Sequence, residues 1–85
     1  MKNDERSDRV RKKLGYKIRL LRESRGLSQG DLAYRIGINR SYLSEVENGH
    51  RNLTIDILTR LGDIMSITLS DLFKGVDSEE DTGAL

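Results

Sequence analysis

Residues 28 to 49 read Ser28-Gln29-Gly30-Asp31-Leu32-Ala33-Tyr34-Arg35-Ile36-Gly37-Ile38-Asn39-Arg40-Ser41-Tyr42-Leu43-Ser44-Glu45-Val46-Glu47-Asn48-Gly49, and this stretch decides the fold. It predicts two short helices joined by a tight turn. Ser28 is a strong N-cap. Asp31, three residues on, can reach back to the Ser28 backbone, and its charge suits a helix N-terminus. Leu32, Ala33 and Ile36 fall at helical spacing and make one apolar face. Ala33 is small, so a second helix can approach closely. Gly37 stops the first helix, because glycine tolerates the positive φ of a helix C-cap. Ile38, apolar in a turn, should plug the core beneath the junction. Asn39 is a second N-cap. Leu43 and Val46 then face inward, and Arg40, Ser41, Ser44, Glu45 and Asn48 are left facing out.

Upstream, Val10, Leu14, Ile18 and Leu21 recur at spacings of four, four and three and predict an amphipathic helix. Arg11, Lys12, Lys17, Arg19 and Arg22 lie on or beside its wet side. Gly15 inside that helix should cost about 1 kcal/mol relative to Ala. Residues 1 to 9 are nearly all polar and read as a flexible arm. Downstream, His50 to Leu53 form a loop. Thr54 can cap a fourth helix with an apolar stripe of Ile57, Leu58, Leu61, Ile64 and Met65. Ser70 is expected to cap a short last helix carrying Leu72 and Phe73, closed by Gly75. Residues 76 to 85 are acidic and aperiodic and read as a disordered tail. The chain has no proline and no internal repeat. The expected architecture is all-α, a compact five-helix bundle over residues 10 to 75.

At 85 residues there is room for one domain and a modest core. There is no cysteine and only one histidine, so neither a disulfide framework nor a metal site is expected. No nucleophile–base pair, ligand cluster or phosphate loop is visible, which argues against an enzyme and against a cofactor. No apolar run approaches membrane-span length and no signal peptide is evident, so a cytoplasmic location is the expectation. Net charge is only +1, but its distribution is uneven. Residues 1 to 52 hold 13 Lys and Arg against 7 Asp and Glu, whereas residues 53 to 85 hold 2 against 7. A basic half of this kind suits phosphates.

Together these features resemble the phage Cro and repressor type of helix-turn-helix domain, the xenobiotic-response-element family. The resemblance spans residues 12 to 75. It is carried by Ile18-Arg19-Leu20-Leu21-Arg22, Leu27-Ser28-Gln29, Asp31-Leu32-Ala33, Ile36-Gly37-Ile38, Val46-Glu47-Asn48-Gly49 and Leu69-Ser70-Asp71-Leu72-Phe73. The stretch Arg51-Asn52-Leu53-Thr54-Ile55 is similar to the controller proteins of restriction–modification systems. The resemblance implies a lambda-repressor-like fold and a DNA-binding transcriptional regulator. It implies that Gln29 meets a phosphate and braces the recognition helix, and that Arg40, Ser41 and Glu45 meet base edges. It implies a phosphate contact for Asn48 and a buried ion pair between Arg22 and Glu47. Glu45 departs from the family, which often has a neutral or basic residue there.

The partner expected on this reading is double-stranded DNA. An arginine at position 40 can make two bonds to guanine O6 and N7 in the major groove; a phosphate contact or a solvated side chain is the alternative. Glu45 is tolerated near phosphates if it accepts from cytosine N4 or pairs with a cation, and Ser41, four residues before it, can also bond to it. Phosphate candidates are Gln29, Lys17, Arg35, Tyr42, Ser44, Asn48, His50, Arg51 and Asn52. One such domain binds DNA weakly, so a homodimer on an inverted repeat is expected, with half-sites about one helical turn apart. Ile64, Met65, Ile67, Leu69, Leu72 and Phe73 are the candidates for its interface; closure of the single core is the alternative for each. A rival function is an antitoxin or bridging module that binds another protein, with the acidic run Asp77 to Asp81 meeting a basic partner.

Overall fold

The structure, a computed structural model, describes residues 3 to 78. Five helices follow in order: α1 (Asn3–Ser24), α2 (Gln29–Ile36), α3 (Arg40–Glu47), α4 (Ile55–Met65) and α5 (Leu69–Phe73). The described residues contain no strand. One core joins all five, with Ile18 from α1, Leu32 and Ile36 from α2, Leu43 from α3, Leu61 and Met65 from α4 and Leu72 from α5 almost fully buried. Ile38 is half-buried against it, as a turn residue that plugs the junction should be.

The caps of the central pair follow from local sequence. Ser28 Oγ accepts from the Asp31 N–H at 2.9 Å, and Asp31 Oδ2 accepts from the Ser28 N–H at 3.2 Å. Gly37 ends α2 at φ 91°, and Asn39 Oδ1 accepts from the Tyr42 N–H at 2.7 Å to start α3. Hydrogen bonding from the Ser28 backbone and hydroxyl, helped by the Arg35 charge, holds the Asp31 carboxyl below its ordinary value of 3.8. A depressed folded-state pKa contributes stability above the unfolded value and loses it as pH falls through the lowered one. Asp31→Asn should therefore be less stable than the parent at neutral pH. Urea melts should show the two converging as pH drops below 3.8; identical melts at pH 7 would rule the contribution out.

Cations from one helix close the C-terminal ends of others. Arg60 Nη1 donates to the Ile36 carbonyl at the end of α2 (2.6 Å), and Arg25 Nε donates to the Met65 carbonyl at the end of α4 (3.0 Å). Lys17 Nζ donates to the carbonyls of Asp71 (2.5 Å) and Lys74 (3.1 Å) around the end of α5. Each places positive charge at the negative end of a helix dipole and satisfies a carbonyl that the helix itself leaves unpaired.

Several expectations need correction. The N-terminal segment is helical from Asn3, not a flexible arm through residue 9. Asp8 and Arg11, one turn apart, form an ion pair that supports the extension. Thr68, not Ser70, caps α5, its Oγ1 accepting from the Asp71 N–H at 3.0 Å. The tail does not begin at Val76. That side chain is buried in the core, and Lys13 Nζ donates to the Ser78 carbonyl, so residues 76 to 78 fold back on α1. The remainder of the acidic run, Glu79 to Asp81, lies outside the described residues. Finally, Gly15 is not a weak point in α1. A Cβ there would sit 2.2 Å from the Val46 carbonyl oxygen, so glycine is what lets α1 lie against the end of α3.

Candidate nucleic-acid interface

The outward face of α3 is positioned from beneath by one buried polar cluster. Arg22 Nε donates to Glu47 Oε2 at 2.7 Å and Nη2 donates to Oε1 at 3.0 Å, a two-pronged pair between α1 and α3. The same guanidinium donates from Nη1 to the Leu27 carbonyl at 2.8 Å. Gln29, opening α2, donates from Nε2 to Glu47 Oε1 at 3.0 Å. Glu47 thus ties α1, α2 and α3 together. Its hydrogen bond and charge raise the Arg22 pKa above its ordinary value, outweighing the opposing effect of burial. Among the described residues, every buried side-chain nitrogen and oxygen has a partner. The network is satisfied, and satisfied networks fix orientation.

On that footing Arg40, Ser41, Glu45 and Asn48 are exposed on or at the end of α3. The Arg40 stem starts beside the α2 N-terminus, since a Cβ on Gly30 would lie 4.0 Å from its Cδ. Neither the Arg40 guanidinium nor the Ser41 hydroxyl has a hydrogen-bond partner among the described residues. Glu45 does not bond to Ser41. Its Oε1 pairs instead with Arg51 Nη1 at 2.8 Å, the cation pairing that makes an acidic group tolerable on this face. Glu45 Oε2 is left to accept another bond. Arg51 also lies over the Tyr42 ring, 4.8 Å from its centroid. The Tyr42 hydroxyl donates to the Asn52 carbonyl. These contacts fold the loop back on the helix and bring Tyr42, Arg51 and Asn52 together.

Of the other phosphate candidates, Asn48, His50 and Arg35 are exposed and Ser44 is half-buried. Lys17 is not available, because its ammonium is held by the two carbonyls at the end of α5. The sequence reading did not include Arg11 among the phosphate candidates, although it lies beside the same loop and donates to Asn52 Oδ1 at 3.2 Å. Arg11 was legible only as a cation on the wet side of α1; a contact across 41 positions leaves no local trace. The interface candidates also divide. Met65 and Leu72 are buried in the core and cannot serve a second copy. Leu69 and Phe73 are more than a third exposed, while Ile64 and Ile67 are half-buried against the core.

Two capped helices around a glycine turn, with the second braced from below and polar outside, define the helix-turn-helix class. The chain belongs to that family in its Cro/C1 form: the helix-turn-helix family model matches residues 18–75. Control protein C.MunI of a Mycoplasma species is 37% identical over 71 residues, covering 82% of this chain and 96% of that one. Control protein C.BamHI of Bacillus amyloliquefaciens is 30% identical over 67 residues, covering 78% of this chain and 83% of that one. Among solved structures, the restriction–modification controller protein C.AhdI from Aeromonas hydrophila superposes with a TM-score of 0.68 at 38% identity. That match covers 72% of this chain and 92% of C.AhdI. Among the described residues, no helix is long and apolar enough to cross a membrane.

Proposed function

We propose that this chain is a sequence-specific transcriptional regulator, of the controller kind its relatives' names describe, that binds an inverted-repeat operator as a homodimer. The observation that carries this reading is an exposed, unpartnered Arg40 and Ser41 at the start of a helix locked by the Arg22–Glu47–Gln29 cluster. A free guanidinium on a rigid helix meets the geometric demand of two parallel bonds to one guanine. Ser41 reads an adjacent edge, and Glu45 Oε2 accepts from a cytosine while Arg51 neutralises the carboxylate. Gln29, Arg35, Tyr42, Ser44, Asn48, His50, Arg51 and Asn52 flank the helix and meet phosphates, which set register rather than sequence. The second copy docks through Leu69 and Phe73 with the exposed parts of Ile64 and Ile67.

The direct test is a titration on DNA from immediately upstream of the chain's own gene, near physiological salt, with excess random-sequence competitor. Cooperative binding that survives the competitor is expected. Binding that random DNA abolishes would overturn the operator reading and favour a protein partner. Arg40→Ala should weaken operator binding by about 1–3 kcal/mol and relax a single base position in each half-site. An unchanged affinity would mean that α3 docks differently.

A further inference from the structure

A groove of about 810 Å³ opens beside the C-terminal end of α3. Its walls come from the middle of α1 and from the loop after α3, and its lining includes Arg11, Lys12, Tyr42, His50, Arg51 and Asn52. The two walls meet backbone to backbone. Gly49 has φ 81°, and a Cβ there would lie 2.9 Å from Lys12 Cα and 3.1 Å from Lys12 N, so a larger residue would push them apart. Arg11 then reaches in two directions, to Asp8 through Nη2 and to Asn52 Oδ1 through Nη1. Accepting with Oδ1 turns the Asn52 amide NH2 away from Arg11, where it is free to donate.

The charges around the groove are unequal. Arg11, Lys12 and Arg51 line it against one carboxylate, Asp8. Arg11 is paired with Asp8 and Arg51 with Glu45. Lys12 is exposed and has neither an ion pair nor a hydrogen bond among the described residues, and His50 is in the same position. A fixed Lys12 backbone therefore presents an unneutralised ammonium beside two hydrogen-bond donors, the Asn52 amide and the His50 ring.

We propose that this groove holds a backbone phosphate of the duplex that α3 reads, with Lys12 supplying the charge and Asn52 and His50 the hydrogen bonds. The inference rests on the DNA-binding reading and extends it to α1. A helix lying in a major groove about 12 Å wide brings the residues past its end over the groove wall, which is built of phosphates. Gly49 and His50 are those residues. The groove thus lies where a flanking phosphate would pass, and it is open enough to admit a continuous strand rather than to enclose a small anion.

Lys12→Ala tests this without touching the core. Its slope of log affinity against log salt should be shallower than the parent's by about 0.9, so that a fourfold rise in salt costs the variant about 3-fold less affinity. Ethylation interference should lose one phosphate position per half-site. The ratio of operator to random-DNA affinity should stay the same, and Lys12→Arg should restore the slope. Lys74→Ala, which removes a cation outside the groove, should leave the slope at the parent value. Operator binding by Lys12→Ala with the parent slope and interference pattern would overturn the groove and leave the α3 reading standing. Failure of the parent chain to prefer its operator over random DNA would overturn both.

Discussion

Glu47→Ala should destabilise the fold by about 3–5 kcal/mol, because it strands the Arg22 guanidinium in the interior without its anion. The Glu47 side chain is 2% exposed and that of Arg22 10%, so water cannot take over the lost bonds. Gln29 loses its acceptor in the same step. A domain of this size has a total stability of about 5–15 kcal/mol, so a large share is removed by one substitution. Urea unfolding of parent and variant gives the number directly. A loss below about 1 kcal/mol would mean that the pair is solvated in solution. Converting both partners, Arg22→Met with Glu47→Leu, should recover part of the loss, since no charge is then buried. It should not recover all of it, because the Leu27 carbonyl loses its donor as well. Operator affinity should remain impaired in this double variant even where it is folded, because α3 is then no longer oriented by a two-pronged bond.

Gly15→Ala is the second large effect, and its sign contradicts helix propensity. In an isolated helix, Ala is favoured over Gly by about 1 kcal/mol. Here the added methyl would meet three backbone atoms, the Val46 oxygen at 2.2 Å and the Glu47 oxygen and carbonyl carbon at 2.8 and 2.9 Å. Backbone cannot rotate out of the way as a side chain can. The helices α1 and α3 would have to separate, loosening Ile18, Leu43 and Val46 and stretching the Arg22–Glu47 pair. We expect a net loss of about 3 kcal/mol, the upper end of the overpacking range. Thermal melts of the variant measure it; a rise in Tm would show that propensity wins and that the α1–α3 approach is looser than it stands.

The charge asymmetry between the two halves of the chain points toward nucleic acid, but it overstates the cations free to meet it. Lys17 and Arg25 are engaged by helix-end carbonyls, and Arg22 is engaged inside the core. The cations left exposed and unpaired on and around the reading face are fewer: Arg40, Arg35 and Lys12. A count along the sequence cannot separate these groups, because a structural cation and a phosphate-binding cation have the same chemistry and differ only in what lies opposite.

What the sequence determined by itself was local. The Ser28–Asp31 capping box, the Asn39 and Thr54 caps, the Gly37 stop and the 3.6-residue apolar spacing each act within a few residues, and all are realised in the structure. The helix-turn-helix, the outward set on α3 and the family followed from them. Local signals failed where a helix end lacks its usual marker, as at Ser66, which closes α4 at φ 56° without being glycine. Only the tertiary structure decided which residues separated by tens of positions meet. It assigned Met65 and Leu72 to the core rather than to a second copy, turned Gly15 from a flaw into a contact, paired Glu45 with Arg51, and set Lys12 beside Gly49. Those outcomes depend on how whole helices pack, and packing is a property of surfaces assembled from distant segments, which no short window of sequence contains.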